Sequence, residues 1–166
     1  KNMGPAGVTL IVVKKEVVGK VDRDIPTMLN YQTHIDKSSS FNTPPVFPIY
    51  VSMLTMRWVK QNGGVVAMEK RNIEKAKVLY DEIDRNPLFY GTASKEDRSR
   101  MNVCFLLKDE SMSDEFLKDC EAAGCIGVKG HRSVGGFRAS IYNAMELEGV
   151  EKLVEVMKNF ESKKAI

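Results

Sequence analysis

At 166 residues, 43% apolar and 28% charged, the chain has the balance of a folded globular protein with room for one ordinary domain, not that of a disordered tail. Its 25 basic and 22 acidic side chains are interspersed and leave a formal charge of +3, so no block of like charge offers a nucleic-acid or membrane footprint. No secretory signal or bilayer-length apolar run occurs, and Cys104, Cys120 and Cys125 lack metal-ligand spacing. They read as small core residues of a cytoplasmic protein.

Lys1-Asn2-Met3-Gly4-Pro5-Ala6-Gly7 is a turn-forming opening without the usual initial Met, which points to upstream sequence that is absent here. It runs into Val8-Thr9-Leu10-Ile11-Val12-Val13, whose β-branched and nearly unbroken apolar character predicts a strand buried on both faces, as in an α/β sheet. From Lys14 to Pro45 the sequence is polar and aperiodic, a long loop with one helical turn near Pro26 to Leu29. A connector of that length is expected to be ordered and functional, and the paired prolines of Phe41-Asn42-Thr43-Pro44-Pro45 restrict its backbone.

Residues Val46 to Gln61 carry apolar side chains all round the helical wheel, which predicts a helix buried between layers or domains. Asn62-Gly63-Gly64 ends it. A second helix to about Asp84 shows a stripe at Val65, Met68, Ala76, Leu79 and Ile83 before Asn86-Pro87 stops it. Element types then alternate: a strand at Met101 to Leu107, a helix from Ser113 to Ala123 closed by Gly124, a short strand at Ile126 to Lys129, a strand at Arg138 to Tyr142, and a helix from Gly149 to Ser162. Ser111 with Asp114 gives the first of these helices a start signal. The last helix places Val150, Leu153, Val154, Met157 and Phe160 on one face, and Lys163-Lys164 would complement its carbonyl end.

Two places have the residue types for chemistry. Lys1 sits in a Gly- and Pro-rich turn that could hold an amine at the rim of a sheet, although a Schiff-base nucleophile also needs burial and a depressed pKa. The run Lys129-Gly130-His131-Arg132-Ser133-Val134-Gly135-Gly136-Phe137-Arg138 gathers four basic side chains about a Gly-Gly turn. That suits a multiply anionic small ligand, since arginine offers a planar fork and histidine a further donor; a solvated basic loop fits the composition equally well. His34 is read as a structural loop histidine.

Residues 1 to 9 resemble the cofactor-lysine segment of the phosphoserine aminotransferases, a family of fold-type I pyridoxal-phosphate enzymes. Further matches follow in order: Phe41-Asn42-Thr43-Pro44-Pro45, Asn62-Gly63-Gly64, Ser99-Arg100-Met101-Asn102-Val103, and Gly130-His131-Arg132 through Gly135-Gly136-Phe137-Arg138-Ala139-Ser140-Ile141-Tyr142-Asn143-Ala144. The resemblance implies an α/β parent of the pyridoxal-phosphate transferase type. Residues 1–45 would be the end of its large cofactor-binding domain, 46–61 a connecting helix, and 62–166 a small C-terminal α+β domain.

By the same resemblance Lys1 is the catalytic residue that tethers pyridoxal 5'-phosphate and moves the proton, and Asn42 and Thr43 donate to the cofactor phosphate across a homodimer interface. Arg138 grips the substrate α-carboxylate, while His131 and Arg132 hold the distal phosphate or the side-chain carboxylate. The implied reaction is ping-pong transfer between glutamate and 3-phosphohydroxypyruvate, giving 2-oxoglutarate and phosphoserine in serine biosynthesis, with a second phosphorylated substrate in pyridoxine synthesis. The aromatic residue that stacks on the cofactor and the acidic partner of its ring nitrogen would lie upstream, so this chain alone is expected to be inactive. Two rival readings stand beside it: a folded, non-catalytic C-terminal fragment serving dimerisation or structure, and a phosphate-binding module built on residues 129–138.

Overall fold

The computed structural model describes residues 1–132 and 135–164. The chain divides into two compact units, one of Lys1 and Met3–Trp58, the other of Asn2 and Val59–Ile166. Ser133 and Val134 of the basic run, and the last two residues of the 62–166 segment, lie outside the described residues.

The first unit is largely irregular. Residues 8–13 do not form the predicted strand; they are unpaired, and Val12 is 91% exposed. A strand satisfies its backbone groups only through a neighbour, and no described segment pairs with this one. In the polar stretch a 3₁₀ turn forms at Thr27–Leu29, as expected, but helix α1 (Tyr31–Asp36) follows it and carries His34, which is therefore not in a loop. Six residues are too few to display a period. What starts α1 is the Asn30 side chain, which accepts the Gln32 N–H at 3.0 Å.

Helix α2 (Val46–Gln61) has the predicted bounds, yet Ser52 is its sole buried residue. Val46, Phe47 and Tyr50 are all more than half exposed. Its all-round apolar pattern belongs to a covered helix, and the described residues cover little of it.

The second unit packs three helices on a sheet. Helix α3 (Gly64–Arg85) buries Met68, Ala76, Leu79 and Ile83 but leaves Val65 exposed. It stops at the buried Asn86, whose Nδ2 donates to Glu82 Oε1 at 2.9 Å and to the Met157 carbonyl at 3.3 Å. Strands β1 (Phe89–Gly91), β2 (Asn102–Leu107) and β3 (Phe137–Ser140) form an antiparallel sheet in the order β1-β2-β3. β1 was not foreseen, because three residues leave no alternation to read. β3 begins one residue before Arg138 and ends short of Tyr142. The expected strand at 126–129 is reduced to one bridge, Lys129 to Phe137, because the left-handed backbone of Gly127 interrupts extension just before it.

Helix α4 (Ser113–Ala122) is preceded by a 3₁₀ turn capped by Asp109, which accepts the Ser111 N–H at 3.0 Å; Asp109, not Ser111, supplies the capping acceptor. Helix α5 (Leu147–Lys164) buries the predicted stripe completely. Its terminal lysines reach α4 instead of their own carbonyl end, Lys163 to Asp119 at 2.7 Å and Lys164 to Glu115 at 2.6 Å. The core lies on one sheet face, where Val103, Phe105 and Leu107 meet Leu79, Phe116, Met157 and Phe160. The other face carries Asn102, Cys104, Arg138 and Ser140.

Candidate functional site

Lys1 is exposed, and its backbone nitrogen donates to the Gly4 carbonyl at 3.0 Å, which closes the turn. Among the described residues no sheet rim supports it; the turn rests on α2. Gly4 has φ +127°, and a side-chain carbon there would stand 2.4 Å from Ser52 Oγ and 2.9 Å from Ser52 Cα. Only glycine permits that approach.

Asn42 and Thr43 are exposed and immediately precede the prolines that lead into α2. Two left-handed serines, Ser38 at φ 49° and Ser39 at φ 62°, turn the chain towards them. Asn42 Nδ2 lies 3.6 Å from Met28 Sδ, and the His34 ring nitrogen is 3.1 Å from the Met28 carbonyl, so His34 and Asn42 share one anchor. No acidic residue occurs from Lys37 to Met68. Neutral donors in an acid-free segment at the start of a 16-residue helix fit a phosphate group.

The basic turn in the second unit is built on backbone bonds. Gly130 N–H donates to the Gly136 carbonyl and Gly135 N–H to the His131 carbonyl, both at 2.8 Å. A side chain on Gly130 would collide with the Gly135 carbonyl at 2.2 Å, which explains the glycine there. His131, Arg132 and Arg138 are all exposed, Arg138 on the sheet face away from the core and opposite Cys104 in register. Arg138 N–H donates to the Val128 carbonyl at 2.7 Å, which fixes its main chain. Arg138 also lines a cavity of about 330 Å³ bounded by Cys125, Ser140, Ile141 and Lys152. From Ala122 to Met145 there is no acidic residue, so nothing in this stretch neutralises the cations.

Two groupings result: His131, Arg132 and Arg138 on one turn and strand, and Asn42 with Thr43 ahead of α2. Sequence reasoning assigned no role to Asn2, Asn72, Lys75, Asn102 and Asn143, all polar and interlinked. Asn102 Oδ1 accepts from Tyr142 Oη at 3.0 Å and Ser140 Oγ at 3.4 Å, tying the residues after Arg138 to β2. Lys75 is 3% exposed; burial lowers its pKa, against the influence of Glu146. Asn2, Asn102 and Asn143 stood inside the recognised motifs, whereas nothing in sequence marks a buried lysine on a helix. Cys120 is a core residue as read, its thiol pushed up to about 12 by burial and thus inert.

The aminotransferase class-V family model matches residues 1–153, and the chain belongs to that family. Within it, the chain is 61% identical over 163 residues to the phosphoserine aminotransferase of Parabacteroides distasonis, covering 97% of this chain and 46% of that protein. It is 60% identical to the phosphoserine aminotransferase of Bacteroides thetaiotaomicron with the same coverage. The solved phosphoserine aminotransferase of Bacillus circulans subsp. alkalophilus superposes with a TM-score of 0.93 at 41% identity, over 99% of this chain and 46% of that one. A structure of phosphoserine aminotransferase solved to follow radiation damage of its Schiff base gives 0.92 at 46% identity, over 98% and 46%. The chain therefore spans about half the length of the relatives it matches. Its mixed helix-and-sheet architecture is that of the C-terminal part of a fold-type I aminotransferase. Among the described residues no helix is long and apolar enough to cross a membrane.

Proposed function

We propose that this chain is the C-terminal part of a cytoplasmic, pyridoxal-phosphate-dependent phosphoserine aminotransferase that exchanges an amino group between glutamate and 3-phosphohydroxypyruvate, with 4-phosphohydroxythreonine a further product. In domain terms, residues 1–45 end the large domain, 46–61 connect, and 62–166 form the small domain. The observation that carries this reading is the acid-free turn that presents His131, Arg132 and Arg138 together, three donors for substrates that bear a carboxylate plus a phosphate or second carboxylate. The relatives described above bear the same name, and one solved relative, from Trichomonas vaginalis, is described as bound to the cofactor.

When bound, pyridoxal phosphate supplies the electron sink that lets an amino group leave one carbon skeleton and be passed to the next. The work of this chain is positional. Arg138, its main chain fixed by Val128, presents a bidentate fork to the α-carboxylate that every substrate carries. His131 and Arg132 sit at the other end of the turn and take the distal anion. Lys1 would provide the amine that holds the cofactor and would move the proton at the substrate carbon. Asn42 and Thr43 donate to the cofactor phosphate of the neighbouring subunit in a homodimer, and the uncovered apolar face of α2 supports a covering neighbour.

The test is phosphoserine formation by the full-length protein from glutamate and 3-phosphohydroxypyruvate, with borohydride reduction to locate the cofactor. The expected result is covalent retention at Lys1 and its loss in Lys1→Ala. Trapping at another lysine, or no product, overturns the reading.

A further inference from the structure

One short segment, residues 141–145, is held from several sides. Lys75 Nζ donates to the carbonyls of Tyr142 at 2.7 Å, Met145 at 2.8 Å and Ile141 at 3.3 Å. Ile141 N–H donates to the Met101 carbonyl at 2.9 Å. Asn72, 4% exposed, donates from Nδ2 to Asn143 Oδ1 at 2.8 Å. The segment is thus a rigid platform that continues directly from Arg138 and β3.

The platform then reaches Asn2. Asn143 N–H donates to Asn2 Oδ1 at 3.0 Å, and Asn2 Nδ2 lies 3.3 Å from Met101 Sδ. Both ends of the Asn2 amide are engaged, and Asn2 and Gly4 are the partly buried residues of a turn whose other members are exposed. A side chain used at both ends leaves its own backbone little rotational freedom.

We propose that Asn2 is a positioning residue: its bond from Asn143 fixes the peptide joining Lys1 to Asn2, so that the Lys1 amine extends from a backbone tied to the platform that follows Arg138. This rests on the reading of Lys1 as the cofactor-bearing residue. A mispositioned amine slows every step in which Lys1 moves a proton, whereas ground-state binding at Arg138 is untouched.

The experiment uses the full-length protein as wild type, Asn2→Leu, which keeps the size and removes the acceptor, and Asn2→Asp, which keeps an oxygen for Asn143 N–H. In the cofactor-free protein, Asn2→Leu should speed hydrogen exchange at the Asn143 amide about tenfold and raise acylation of Lys1 by an amine-specific reagent about threefold. In the loaded enzyme it should lower kcat for both half-reactions about tenfold, with KM changed less than about twofold. Asn2→Asp should stay near wild type on every measure. Unchanged exchange and acylation in a folded Asn2→Leu protein overturn the proposal, as does an unprotected Asn143 amide in wild type if the variant does not fold. Exchange and acylation that change while kcat holds overturn the assignment of Lys1 instead.

Discussion

Gly4 and Ser52 approach each other more closely than any side chain on residue 4 would allow, since a Cβ there would meet the serine Cα at 2.9 Å as well as its hydroxyl at 2.4 Å. Trimming the serine removes only one of these contacts. With φ at +127° adding backbone strain, Gly4→Ala should cost about 1–3 kcal/mol in thermal or urea unfolding of the full-length protein. The double variant Gly4→Ala, Ser52→Ala should keep most of that loss. Ser52→Ala alone should be neutral or stabilising by about 1 kcal/mol, because the Ser52 hydroxyl is buried without a hydrogen-bond partner among the described residues. A destabilised Ser52→Ala protein would show that the hydroxyl has a partner after all.

In the second unit the decisive residue is Phe116, with ring centroids 4.9 Å from Phe137, 5.0 Å from Phe89 and 5.3 Å from Phe160. Phe116→Ala removes the centre of that cluster and should cost about 3–5 kcal/mol, read from circular-dichroism melts. Phe47 on α2, 73% exposed, is the contrast. Phe47→Ala should stay within about 0.5 kcal/mol in the isolated chain and, if the proposed dimer covers α2, cost several-fold more in the full-length protein. Equal, small effects in both would mean that α2 stays uncovered.

Asp84 accepts two bonds from Arg98, at 2.6 and 3.0 Å, and a third contact comes from Lys95 at 3.2 Å. The Arg98 bonds hold its pKa below the usual aspartate range; burial opposes them more than the Lys95 contact adds to them. The unfolded chain therefore binds the proton first. The stabilisation is present above the ordinary value of about 4 and is lost as pH falls through the lower folded value. Asp84→Asn should be less stable at neutral pH, and its stability should fall less steeply below about pH 4 in urea titrations. Parallel curves for the two proteins would remove Asp84 from acid sensitivity.

The second unit was legible because its elements bury one face each, so that Val150, Leu153, Val154, Met157 and Phe160 announced α5 by spacing alone. The first unit was not, for a physical reason. Residues 8–13 and α2 have the composition of buried elements, but burial is a property of neighbours, and the described residues leave most of both exposed. The basic turn was visible as charge around glycines. The platform that follows β3 was not, since Asn72 and Lys75 meet Asn143 and Tyr142 across some seventy residues, a pairing no local pattern encodes.

Arg138 and Arg132 should separate in kinetics. If Arg138 grips the carboxylate common to all the proposed substrates, Arg138→Lys replaces its fork by a point charge, and both half-reactions should lose about tenfold or more in kcat/KM. Arg132→Ala should weaken phosphorylated substrates more than glutamate. Unchanged apparent affinities for both glutamate and 3-phosphohydroxypyruvate in Arg138→Lys would falsify the carboxylate role.

The shared site can be tested by counting lesions. If Asn42 and Thr43 serve the neighbour's cofactor, each site combines Lys1 of one subunit with Asn42 and Thr43 of the other. A homodimer of Lys1→Ala subunits loses both amines, and a homodimer of subunits carrying Asn42→Ala and Thr43→Ala loses the phosphate donors from both sites. In a mixed dimer, the subunit that keeps Lys1 receives intact Asn42 and Thr43 from its partner, so one site is whole and the other carries both lesions. Activity should return on mixing, towards about half of wild type per dimer, since one of two sites is intact. If these residues instead serve their own subunit, each site of the mixed dimer carries one lesion and none is complete. Native mass spectrometry that finds mixed dimers without recovered activity decides against the shared arrangement.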